Sequence, residues 1–155
     1  MKKGIFFSGL VLFILLFSCT GRGSDLKDGY YSAIAKDWDT YGWKEFITIC
    51  VNNGVITTVE YNAVNQAGFV KSWDTDYMSL MKSVVGTYPL EYTRVYAGEL
   101  LRTQGGEEID AMTGATTSWH TFRQLSAAVL ANAGAGGASM AEVPIIPADG
   151  EHVRE

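Results

Sequence analysis

Residues 44–61, KEFITICVNNGVITTVEY, decide the fold. Two β-branched and aromatic runs, Lys44 to Val51 and Val55 to Tyr61, flank Asn52-Asn53-Gly54. Asn and Gly accept the positive φ of a tight primed turn at little cost, so the stretch predicts an antiparallel hairpin. Upstream, Tyr30-Tyr31-Ser32-Ala33-Ile34-Ala35 predicts a first strand, followed by a turn-like, aromatic-rich segment from Asp37 to Gly42. Downstream, Asn62 to Trp73 reads as an irregular connection containing Gly68.

Helical spacing begins after that connection. Asp74 or Thr75 can cap a helix in which Tyr77, Leu80, Met81, Val84 and Val85 form one apolar stripe, predicted to face the core. Gly86 ends it, and Pro89 reads as a break. A second helix is predicted from Tyr92 to Thr103, then a Gly105-Gly106 turn and a short strand from Ile109 to Met112. The last helix runs from about Thr117 to Asn132, with Phe122, Leu125, Ala128 and Val129 inward. This order predicts a small single α+β domain with a mainly antiparallel sheet and helices packed on it.

The ends of the chain read differently. Lys2 and Lys3 precede an apolar run from Ile5 to Phe17, too short for a comfortable membrane span and laid out as a secretory signal. Leu16-Phe17-Ser18-Cys19 resembles a bacterial lipobox, which implies cleavage before Cys19 and lipid on its sulfur. The expected division is a signal peptide at 1–18, a tether at 19–27, a domain at 28–132 and a flexible Gly/Ala-rich tail at 133–155. Without Lys2 and Lys3 the chain keeps ten basic against seventeen acidic residues. Such a balance argues against nucleic acid and against peripheral binding to anionic lipid, which both need clustered cations. Membrane attachment then falls to the lipid, on an exported protein facing a periplasm or the cell surface. With Cys19 acylated, Cys50 is the one remaining thiol; it is expected as a small buried apolar residue, and no metal site is legible around His120 and His152.

The segment that carries chemistry is Asp110-Ala111-Met112-Thr113-Gly114-Ala115-Thr116-Thr117-Ser118. A turn at Gly114 followed by a helix start exposes backbone N–H groups at the positive end of a helix dipole, where a phosphate is stabilised. Gly114 and Ala115 keep bulk away, and Thr116, Thr117 and Ser118 add hydroxyls. The same three residues also suit plain helix capping, worth about 1 kcal/mol with no ligand.

Residues 110–116 resemble the flavinylation motif of the FMN-binding domain family: an Asp, two residues on a Ser or Thr, then Gly-Ala-Thr. That family includes the covalent-FMN subunits of sodium-pumping quinone reductases and Rnf-type complexes. Similarity extends from about Asp28 to Leu130, with Asp28-Gly29-Tyr30-Tyr31 as the opening strand. The resemblance implies one FMN joined by a phosphoester to Thr116, with Asp110, Thr113, Gly114, Ala115 and Thr117 shaping the site. It implies a flavin transferase that uses FAD and magnesium, and an electron-transfer role fed by a membrane reductase or other redox protein rather than a stand-alone enzyme. Trp38, Tyr41 and Trp43, or Tyr61, Asn62, Gln66 and Trp73, are candidates for contact with the ring, and His120 for contact with the phosphate. Two other readings stand beside it: a non-flavinylated binding or structural lipoprotein of the same fold, and a small oxidoreductase acting directly on a substrate such as a quinone.

Overall fold

The computed structural model describes residues 26–148; the signal segment 1–18, Cys19, most of the tether and the last residues of the tail lie outside them. Strand β1 (Gly29–Ala35), β2 (Lys44–Asn52) and β3 (Val55–Val64) run antiparallel to one another in turn. The β2–β3 turn places Asn53 at φ 53° and Gly54 at φ 72°, the left-handed conformation expected of a primed hairpin. The Asp28 carboxylate accepts from Gly54 N at 2.9 Å, tying the turn to the start of β1. Inward residues alternate along β1 and β2, Tyr31, Ala33 and Ala35, then Ile47, Ile49 and Val51; in β3 a register shift opposite Cys50 and Val51 separates inward Ile56 from Tyr61 and Ala63.

Three helices follow: α1 (Thr75–Val85), α2 (Pro89–Thr103) and α3 (Thr116–Ala135). Helices α2 and α3 cover one face of the sheet with Tyr92, Tyr96 and Leu100, and with Phe122, Leu125, Val129 and Ala133. Phe122 stacks on Tyr96 at 5.2 Å and meets Tyr61 edge-on at 5.0 Å, so an aromatic cluster joins both helices to β3. The α+β reading holds for this small single domain, with a sheet that is mixed rather than wholly antiparallel.

The mixture comes from the segment expected as a tail. Helix α3 continues to Ala135 and is capped by Gly136 at φ 65°, after which β4 (Met140–Val143) pairs parallel to β1, giving the order β3-β2-β1-β4. Bonds from Ser32 N to Ser139 O (2.7 Å) and from Lys36 N to Val143 O (2.8 Å) occupy an edge that β1 would otherwise expose. Ile109 to Met112, expected as a strand, is irregular instead. Both flanks of β1 and β2 are taken, and side chains satisfy the segment: Tyr96 Oη accepts from Met112 N at 3.0 Å, and Trp119 Nε1 donates to Ile109 O at 2.6 Å.

Two helix expectations need correcting. Helix α2 starts three residues before Tyr92, because Pro89 occupies its first turn, where a missing N–H costs nothing. Helix α1 has the expected cap, Asp74 accepting from Tyr77 N at 2.9 Å, and the expected glycine stop, but it buries no residue. Its stripe splits: Leu80 and Val84 are 63% and 72% exposed, while Tyr77 and Met81 are half-buried. Amphipathic spacing records a two-sided helix and not what covers its apolar side. Cys50 is half-buried on β2 rather than fully inside. No helix among the described residues is long and apolar enough to cross a membrane.

Candidate functional site

The loop before α3 is braced from below. Tyr96 Oη, which accepts from Met112 N, also donates to Ala115 O at 3.3 Å. Ala115 N closes the turn onto Met112 O at 3.0 Å, and Trp119 N makes a first helical bond to Ala115 O at 2.9 Å. Gly114 sits at φ 81°, and an added Cβ there would lie 2.8 Å from Val85 O and 2.9 Å from Val85 Cβ. Only glycine satisfies both the left-handed backbone and this contact with the end of α1.

The capping explanation for Thr-Thr-Ser fails on geometry. The N-cap of α3 is Ala115, which has no side-chain acceptor, and no side-chain cap bond is made there. Thr116 and Thr117 are exposed, whereas Ser118 is buried with its Oγ 2.8 Å from Glu45 Oε1. The N-terminal turn of α3 thus presents hydroxyls and a positive dipole end to its surroundings.

Those surroundings form a pocket of about 330 Å³, lined by Gly114 to Ser118 on one side and by Asp39, Tyr41, Glu45, Lys71, Tyr77, Met81 and Tyr92 on the others. Its size lies at the small end of the range for small-molecule sites. Half-exposed α1 supplies Tyr77 and Met81, which accounts for the inner part of its stripe. Tyr92 and Ala115 close the core side.

Glu45 and Lys71 were not singled out from sequence. Glu45 shares the inward parity of Ile47, Ile49 and Val51 but stands where the strand leaves the core, so its parity was a legible signal. Its Oε2 lies 2.6 Å from Tyr61 Oη, which is also 2.8 Å from Ser118 O. Tyr61 has a single proton to donate, so all three oxygens are satisfied together when Glu45 is protonated, giving to Tyr61 while Tyr61 gives to Ser118 O. Burial pushes the Glu45 carboxyl above its ordinary range in the same direction, while Lys71, Tyr61 and Ser118 pull it back.

Lys71 is only 7% exposed. It sits in a one-turn 3₁₀ segment, Lys71–Trp73, fixed to β3 by Asn62. The Asn62 amide donates to Ser72 Oγ at 2.9 Å and its oxygen accepts from Ser72 N at 3.4 Å and Ala63 N at 3.0 Å. The ammonium lies 5.6 Å from the ring centres of both Trp43 and Tyr77. Among the described residues it makes no direct hydrogen bond or ion pair, although it lies in the field of Glu45. A buried Lys held this way points a donor into the pocket.

Of the residues singled out from sequence, Gly114, Ala115, Thr116 and Thr117 line the pocket, while Asp110 and Thr113 are exposed on the preceding loop. Tyr41 lines it, and Trp43 reaches it only through Lys71. Trp38 lies under Lys44 instead, at 4.8 Å. Tyr61 and Asn62 are buried and do not line the pocket, nor do Gln66, Trp73 and His120.

No family model matches the chain. The chain is 35% identical over 136 residues to the 15 kDa lipoprotein of Treponema pallidum (strain Nichols), across 88% of this chain and 94% of that protein. It is similar in structure to the CPE2226 protein from Clostridium perfringens, with a TM-score of 0.74 and 35% identity over 78% of this chain and 99% of that one. A protein from Clostridium thermocellum solved in solution is 28% identical with a TM-score of 0.49, over 70% and 92% of the two chains.

Proposed function

The chain belongs to the family of the 15 kDa lipoprotein, and from that premise we propose that it is an exported carrier, lipid-anchored at Cys19, which holds one FMN by a phosphoester to Thr116 and transfers electrons. The observation that carries this reading is the placement of Thr116. Its exposed side chain opens the helix at the mouth of a pocket with tyrosine walls and a buried cation, inside a motif matched at each fixed position. The support lies in residues 110–116 and in the pocket, not in the relatives, none of which is named for a flavin.

Each residue has a physical task in this account. Ala115 offers no side-chain cap, so the positive end of the α3 dipole faces a phosphate carried on Thr116. Gly114 takes the left-handed turn and lets the loop close against Val85 at the end of α1, which sets Thr116 at the helix start. During maturation the Thr116 hydroxyl would accept the FMN phosphoryl group of FAD, its Oγ–P bond replacing the anhydride P–O bond, with AMP leaving, the hydroxyl proton passing to solvent and no change of oxidation state. A bound flavin supplies one- and two-electron transfer; the protein fixes its place and keeps it from being lost outside the cell. Asp110 and Thr113, exposed beside the acceptor, are accessible to a magnesium-dependent flavin transferase. A membrane reductase or similar redox protein would be the electron donor.

Co-expression with such a transferase tests the proposal. The wild-type protein should stay yellow after denaturation and desalting, and Thr116→Ala should come out colourless. A yellow Thr116→Ala protein, or a colourless wild type, would overturn it.

A further inference from the structure

The pocket beside Thr116 contains more than a phosphate needs. Its lining includes Tyr41, Tyr77, Tyr92 and Met81 together with Lys71, Glu45 and Asp39. Asp39 Oδ1 is occupied by Tyr41 N and Trp43 N, both at 2.8 Å, and Glu45 by Tyr61 and Ser118. Lys71 alone combines near-complete burial with an ammonium that meets the Trp43 and Tyr77 rings but makes no hydrogen bond or ion pair among the described residues. Lys71 is the one cation in the lining and the Asp39 carboxylate already shares the space with it, so a doubly charged phosphate is poorly matched to the interior. A neutral planar ring with a carbonyl on its edge is well matched: the aromatic walls take its faces and Lys71 donates to the carbonyl.

Resting on the flavin reading above, we infer that this pocket receives the ring system itself, and that Lys71 is its recognition residue, donating to a carbonyl on the ring's pyrimidine-like edge. The phosphate stays outside, at the helix start. Once the ester exists the ring is present at an effective concentration of roughly millimolar or more, so modest intrinsic affinity suffices to seat it.

The full chain, produced without a flavin transferase, tests this with no ester present. Lumiflavin, which lacks both ribityl chain and phosphate, is titrated with protein and its fluorescence quenching followed; phenazine, the same tricyclic plane without carbonyls, is measured by displacement. Lumiflavin should bind at least tenfold more tightly than phenazine. Lys71→Met should abolish that difference while leaving phenazine unchanged, and Lys71→Gln, which keeps a donor, should restore part of it. Inorganic phosphate should not displace lumiflavin. Undetectable lumiflavin binding, equal binding of the two ring systems, displacement by phosphate, or a Lys71→Met variant that weakens both ligands alike would each overturn the inference. The wild-type comparison stands even if the variants fail to fold. Because Thr116 is unmodified throughout, loss of ring binding and loss of flavinylation are separate outcomes.

Discussion

Substituting Gly114→Ala probes the turn on which the site is built. The backbone there is at φ 81°, and the new methyl carbon would lie 2.8 Å from Val85 O, 2.9 Å from Val85 Cβ and 3.1 Å from Val85 Cγ2. A left-handed non-glycine residue costs about 1 kcal/mol or slightly more. Forcing a methyl against neighbours that include backbone costs roughly 1–3 kcal/mol. The expected loss is therefore about 2–4 kcal/mol, or a fall in Tm of roughly 6–12 °C for a domain of this size. Gly98→Ala is the matched control: it lies inside α2, has a negative φ, and its Cβ would meet nothing within 4 Å. Relief of helical glycine entropy there should raise stability by roughly 0.5–1 kcal/mol. Urea unfolding of both variants, read from midpoints with unchanged m-values, gives the comparison. If Gly114→Ala proved as stable as the wild type, the close approach between this turn and α1 would be wrong.

Other consequences follow from the same geometry. Because burial raises the Glu45 carboxyl in the folded state, the folded protein holds that proton to higher pH than the unfolded chain does. Its contribution is thus most favourable below the ordinary glutamate range and is lost as pH rises through the elevated folded value. Glu45→Gln should remove this fall, so the stability difference between variant and wild type should grow in the variant's favour from pH 4 upward; a flat difference would contradict the protonated Glu45–Tyr61–Ser118 arrangement. Tyr96→Phe leaves Met112 N without its acceptor and should cost about 1–3 kcal/mol by urea unfolding. The same variant should show faster amide exchange across the loop before α3, and unchanged exchange there would argue against the brace.

Much of the frame was legible because it is local. Asn53-Gly54 sets the hairpin, Asp74 and Gly86 bound α1, and Phe122, Leu125 and Val129 mark the inner face of α3. What failed depended on distant partners. Met140–Val143 is four residues long, and its strand identity comes from the free edge of β1, over a hundred positions earlier. Ile109 to Met112 has the residues of a strand but pairs with none, and Tyr96 and Trp119 take polar groups of the segment instead. The site divides in the same way. Its helix start could be read from Gly114-Ala115-Thr116, and Glu45 from the alternation of β2. Lys71 could not, since only Asn62 and the fold of an irregular connection turn it inward.

The electron-carrier account depends most directly on the chemical state of Thr116. Intact-mass analysis of the protein co-expressed with a flavin transferase, with the modified peptide mapped by fragmentation, reads that state. The account predicts a mass increased by one FMN less one water, located on Thr116. An unmodified mass, or a flavin mapped to a different residue, would contradict it.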